Sequence, residues 1–272
     1  MAKQRKNPIE IKTSRQDYDV IASLGGSCSA ATQLKHRGRR PYSLPLDWTL
    51  MYDERTVRIL PELFRTRFAG FCQRENMFEF ENPGNEYGTH KYHLEDRYTG
   101  YRVIHHFTAH PSEKDRYEVE RGILLRRVDR LYSRIRESKH VLFVLNTVFP
   151  YDPTLLVAVH EAIKEQFPQV DVEIVALQFS ADETRVLELL GGNIKVAQIE
   201  RPLNIVYDNQ FTAPEWCWMD QIKLVSLPLP EQLRKKKVLI KWAYKLWRHL
   251  GKYLEEHNAG CANMRFYRFE GY

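Results

Sequence analysis

Asp19-Val-Ile-Ala-Ser-Leu-Gly-Gly-Ser-Cys-Ser-Ala-Ala-Thr-Gln-Leu34 runs from an apolar stretch, Val20 to Leu24, through Gly25 and Gly26 into a series of helix formers. That order predicts a strand over 19–24, a tight turn, and a helix over 27–36. Ser27 is placed to cap the helix through its hydroxyl, and Cys28 falls in the first turn. Unpaired backbone N–H groups and the positive end of the helix dipole would there favour thiolate over thiol. The same amides would serve an oxyanion. Two plainer readings stand beside this one. Cys28 packs as a small apolar side chain, or the Gly25-Gly26 turn holds a phosphate. The glycine spacing matches neither the dinucleotide nor the Walker pattern.

Working outward, Gly38 is placed to end the first helix. The segment Arg39-Arg-Pro-Tyr-Ser-Leu-Pro-Leu-Asp-Trp48 follows, made extended and stiff by its two prolines. It carries Asp47 beside Trp48. Asp47 reads either as a cap of the next helical segment, 54–64, or as an acid held beside the first helix. The second half is regular. A long helix over 116–137 has Val119, Ile123, Leu124, Val128, Leu131 and Ile135 at helical spacing, and its arginines, Arg121, Arg126, Arg127, Arg130 and Arg134, read as a solvated face or, for a subset, as contacts to an anionic substrate. Then come strand 140–146, helix 153–166, strand 170–177, helix 181–190 and strand 194–198. Alternation of helices with buried-type strands predicts an α/β fold, a single domain over 18–272 with a mostly parallel sheet covered by helices. Ligands of such sheets bind at the carboxyl ends of strands, and Cys28, His105 and Asn146 would each lie just past one.

Residues 65–112 form an aromatic-rich, irregular insertion holding His90, His93, His105, His106 and His110. A segment of this kind folds over a site as a lid or wall. His90 and His93 have the spacing of two metal ligands, but Gly88 argues against a helix there and no carboxylate or thiol is poised beside them. No metal and no other cofactor is expected. Tyr101 to His105 alternates as a strand ending on a histidine. The C-terminal third holds Trp216-Cys-Trp-Met-Asp220 and a basic amphipathic helix over 233–254. Lys241, Lys245, Arg248 and Lys252 form one stripe of it, and Leu239, Trp242, Leu246, Leu250 and Tyr253 another. Such a helix packs on its own domain or makes peripheral contact with an anionic membrane.

The totals bound the function. The 272 residues are 43% hydrophobic and 28% charged, with net charge +6. That is a mildly basic globular composition. Residues 1–17 read as a disordered basic tail, too short to argue for nucleic acid, and no nucleic-acid motif occurs. Four dispersed cysteines exclude a zinc knuckle and a C-x-x-C motif and fit a reducing, cytoplasmic setting, with the inner face of the membrane as the variant of that location. No apolar run reaches the ~20 residues of a spanning helix.

The stretch Ser23-Leu-Gly-Gly-Ser-Cys, the helix after it, the glycine-arginine turn and Pro45-Leu-Asp-Trp48 resemble the opening signature of a bacterial family, DUF1796, described as papain-like cysteine peptidases. Leu46 stands where that family has Phe. The family also shows a histidine followed by Asp-Phe, which here reads His105-His106-Phe107. An arginine-rich helix and an apolar strand come next in both. The resemblance implies Cys28 as nucleophile, His105 as general base, and Asp47 orienting the imidazole or holding the site loop. Gly25, Gly26, Ser27 and Cys28 would line the oxyanion or phosphate pocket. Asn146 and Asp220 are alternative third members, and His90 and His93 alternative bases. Papain-like enzymes order their triad Cys, His, then Asn or Asp, whereas Asp47 precedes His105, and the open sheet differs from their two-lobed fold. The expected activity is hydrolysis of an amide, ester or glycan-linked substrate through a thioester. The competing expectation is a transferase or binding protein of surface-glycan metabolism that holds a phosphorylated or nucleotide-sugar ligand at Gly25-Gly26.

Overall fold

In the computed structural model, residues 11, 13–15, 17–26, 28–36, 39–80, 93–103, 106–147, 149–180 and 185–200 are described. The apolar run after Asp19 is strand β1 (Val20–Ser23), and the helix formers after the glycines are α1 (Cys28–His36). A short helical pair, α2 (Arg55–Arg58) and α3 (Leu60–Arg65), follows. The irregular region contains a small antiparallel pair, β2 (Met77–Glu79) and β3 (Leu94–Asp96). Then come α4 (Lys114–Arg136), β4 (His140–Thr147), α5 (Leu155–Gln166), β5 (Asp171–Ser180), β6 (Arg185–Leu189) and β7 (Ile194–Glu200).

The main sheet has the order β1-β4-β5-β7-β6, parallel except for β6 against β7. The fold is α/β, as the alternation predicts. Both faces of β4 and β5 are buried, so these strands read as continuous apolar runs. Side chains alternate between two cores. Phe143, Leu145, Ile174 and Ala176 point to the side where α3, α4 and α5 pack, with Phe64, Leu131 and Ile163 among the partners. Leu142, Val144, Val175 and Leu177 point to the other side, where α1 contributes Ala30 and Leu34. Ala30 and Ala31 let that helix approach the sheet closely, and burying Leu34 contributes roughly 2 kcal/mol.

Several expectations are corrected. The helix predicted over 181–190 is the strand β6 in its described part. Leu187 and Leu189 pack at period two on the core, and the chain reverses into β7 through Leu190, Gly191 and Gly192, all at positive φ. A glycine pair directly after a short apolar run makes a hairpin rather than a helix end. The strand expected over 101–105 is reduced to single bridges of Arg102 with Leu50 and Glu95, because Tyr101–103 threads between two short segments instead of joining a sheet. Val119 and Ile123 are exposed rather than core. The buried stripe of α4 is Tyr117, Leu124, Val128, Leu131, Tyr132 and Ile135.

The N-terminal tail is tied down where it is described. Ile11 is buried beside Ile21, and Ser14 donates from both its amide and its hydroxyl to Glu173. Tyr18 donates to the same carboxylate, which also pairs with Lys195 at 2.8 Å. A buried carboxylate needs such partners, and one of them, Ser14, comes from the segment expected to be loose. Residues 1–10, His90, Ser27, His105, Asp220 and the expected basic helix 233–254 lie outside the described residues.

Candidate functional site

The site is built on the turn between β1 and α1. The β1–β4 ladder continues past the strand, with Leu24 N–H donating to Val144 O at 2.8 Å. The chain then has to leave the sheet within two residues. Gly25 and Gly26 do this at φ +97° and +99°, a region that side chains disfavour. A Cβ on Gly26 would stand 1.7 Å from the carbonyl oxygen of Asn146, so the turn lies directly on the β4 backbone. Asn146 N–H reaches Gly25 O at 3.5 Å, and Met51 N–H donates to Gly26 O at 3.2 Å. A Cβ on Gly25 would meet Thr49 Oγ1 at 2.9 Å and the Tyr101 ring at 3.2 Å. The loop after Asp47 therefore walls the turn on one side and β4 on the other.

Gly25 donates its own N–H to Ser23 Oγ at 3.0 Å. Its N–H is thus engaged within the turn, where its positive φ sets the backbone conformation. Cys28 opens α1 and is half-buried. Burial raises its thiol pKa, and its own backbone N–H only partly offsets this. No charged side chain among the described residues acts on it. Against the thiolate expected from the helix start, burial among the described residues favours the neutral thiol, because the helix end supplies partial charges only and burial removes the water that would solvate an anion.

Asn146 sits inside β4, not past its end as expected. Its side chain, 1% exposed, alternates onto the face of Leu142 and Val144, the face that α1 covers. Asp47 is engaged within its own loop. Its Oδ2 accepts from Arg40 Nη1 at 3.0 Å and from Leu44 N–H at 2.8 Å. Its Oδ1 is buried with no hydrogen-bond partner. Burial pushes its pKa up to about 6, against the pull of Arg40, the Leu44 amide and Arg127. Arg40 in turn donates through Nε to Ala31 O at 3.1 Å, and its guanidinium lies over Trp48. Asp47 thus fastens the loop to α1. It does not cap the helical segment after it, where Asp53 Oδ1 accepts from Arg55 N–H instead.

Next to the undescribed His105, His106 is half-buried and receives Arg127 Nη1 at its Nδ1, 2.9 Å away. A guanidinium only donates, so Nδ1 accepts and the neutral ring carries its proton on Nε2. That makes His106 a donor rather than a base. His93 packs edge-on against Phe80, and His110 approaches Glu79 at 3.8 Å. No group of three metal-ligating side chains occurs among the described residues, and no helix among them is long and apolar enough to cross a membrane. The sequence alone did not pair Arg40 with Asp47 or Arg127 with His106. The available signal was Asp47 itself, since a carboxylate in a stiff apolar loop needs a cation to be buried.

Residues 19–182, more than half of the chain, match a family model described as "Putative papain-like cysteine peptidase (DUF1796)". No curated protein and no solved structure matched the chain.

Proposed function

The chain belongs to the DUF1796 family, and from that premise we propose that it is a cysteine-dependent hydrolase acting on an amide or ester carbonyl. The observation that carries this reading is a half-buried cysteine opening α1 directly after the Gly25-Gly26 turn, at the carboxyl end of β1. Nucleophilic cysteines of papain-like enzymes occupy such a helix start.

Cys28 rests as a thiol, so its proton leaves as the new bond forms. His105 takes that proton while the sulfur attacks the carbonyl carbon and the carbonyl π electrons move to oxygen. The backbone N–H groups of Gly26, Ser27 and Cys28 stabilise the oxyanion. When the carbon–nitrogen or carbon–oxygen bond breaks, His105 returns the proton to the leaving group. Water, deprotonated by His105, then hydrolyses the thioester and regenerates the thiol. Asn146, buried on the face of β4 that α1 covers, is the third member in this reading. Asp47 holds the loop.

The test is acylation by a p-nitrophenyl ester. We expect a burst of p-nitrophenolate equal to the enzyme concentration, with an acyl adduct on Cys28 by intact-mass and peptide mapping. Cys28→Ala abolishes both, and His105→Ala slows the burst by ~100-fold or more. An equal burst from Cys28→Ala, or no adduct in the wild-type chain, overturns the reading.

A further inference from the structure

The arginines of α4 fall into two groups. Arg116, Arg121 and Arg134 each have a carboxylate nearby: Glu113 at 3.2 Å, Glu118 at 3.9 Å and Glu137 at 3.2 Å. Arg126, Arg127, Arg130 and Arg136 have none at ion-pair distance among the described residues, and Arg136 stands apart as the last residue of the helix. Of the first three, Arg126 and Arg130 lie exposed on one face at i, i+4, and half-buried Arg127 borders that face three residues before Arg130. Two of the three are held in place by neutral acceptors. Arg127 is fixed by His106 Nδ1 at 2.9 Å. Arg130 is fixed by the carbonyl of Ser43 at 2.9 Å and leans over Tyr42 at 5.9 Å. Arg127 is crowded by Arg130 and Arg40, and the nearest compensating carboxylate, Asp47, is already engaged by Arg40.

Cations fixed by neutral groups keep their full charge for a ligand. They also lose less side-chain entropy when one binds. Guanidinium forks match phosphate oxygens in pairs. We propose that Arg126, Arg127 and Arg130 form a binding site for a phosphate-bearing anion on the exposed face of α4. Its occupancy does not depend on cysteine chemistry, since no arginine of α4 acts on the Cys28 thiol.

The probe is inorganic pyrophosphate, titrated into the full chain by calorimetry with ionic strength held constant by NaCl. Saturable binding is expected, unchanged in Cys28→Ala and in Arg65→Met, whose partner Glu165 lies on α5. Arg126→Met and Arg130→Met, both exposed, should weaken binding by ~10-fold or more, the loss of one charge-assisted contact. Arg127→Lys, which keeps the charge but loses the fork, should weaken it as well. A second arm uses vesicles of phosphatidate in phosphatidylcholine. Pelleting with them that pyrophosphate abolishes assigns a lipid headgroup as the source. Pyrophosphate binding without pelleting assigns a free phosphorylated ligand. Absence of saturable binding, or equal affinity in Arg126→Met and Arg130→Met, overturns the proposal and leaves a solvated helix face.

Discussion

Replacing Gly26 by alanine tests whether the turn under Cys28 is set by close backbone approach. The added Cβ would lie 1.7 Å from Asn146 O and 2.5 Å from its carbonyl carbon. An ordinary carbon–oxygen contact is about 3.3 Å, so the two backbones must separate by about 1.5 Å. Neither side yields easily. Asn146 is paired within the sheet, and Gly26 O accepts from Met51 N–H. Relief therefore sacrifices backbone hydrogen bonds, each a net contribution of about 1 kcal/mol. The left-handed backbone at φ +99° adds about 1–2 kcal/mol. The expected loss is about 3–5 kcal/mol, a large part of the 5–15 kcal/mol typical of a whole domain. Gly191→Ala is the control. Its φ is +62° with nothing within 4 Å, so it should lose only about 1 kcal/mol, from backbone strain. Urea unfolding followed by tryptophan fluorescence compares the two. If Gly26→Ala falls within about 1 kcal/mol of Gly191→Ala, the close approach is not what shapes the turn.

Asp47 has a native pKa of about 6 against an ordinary 3.8, so the folded chain holds a proton that the unfolded chain releases between those values. Its contribution is fully present below pH 3.8 and is lost as pH rises through 6, a change of about 3 kcal/mol. Unfolding free energies of the wild type and Asp47→Asn should therefore diverge across that window, the variant gaining relatively as pH rises; parallel curves would contradict the burial. Arg40→Met strands a buried carboxylate and should cost about 3–5 kcal/mol at neutral pH, less at acid pH where Asp47 is protonated. Adding Asp47→Asn should recover part of that loss, and a purely additive double-mutant cycle would deny the coupling. Iodoacetamide labelling of Cys28 should rise with a midpoint above the ordinary thiol value of 9.0, as burial requires. A midpoint well below it would mean that a cation outside the described residues sits on the sulfur.

Residue pattern alone was enough to place β1, α1, α4, β4, α5, β5 and β7 in order and to make the sheet mostly parallel. Apolar periodicity is local, and a strand buried on both faces cannot disguise its continuous run of apolar residues. The strand β6 was misread because four apolar residues before Gly191-Gly192 satisfy helix and strand periods alike; pairing with β7 decided between them. The glycine turn and the position of Cys28 in the first turn of α1 were equally legible, since both depend on neighbours in the chain. What only the tertiary structure decided is the chemistry around that turn. Charge and burial depend on residues far apart in sequence: Arg40, Asp47, Arg127 and His106 come from two loops and a helix. The Cys28 helix start alone predicted a thiolate, because the partial charge of a helix end is a local property. Burial by the packed fold reverses that preference, because desolvation is set by everything the chain brings around the sulfur.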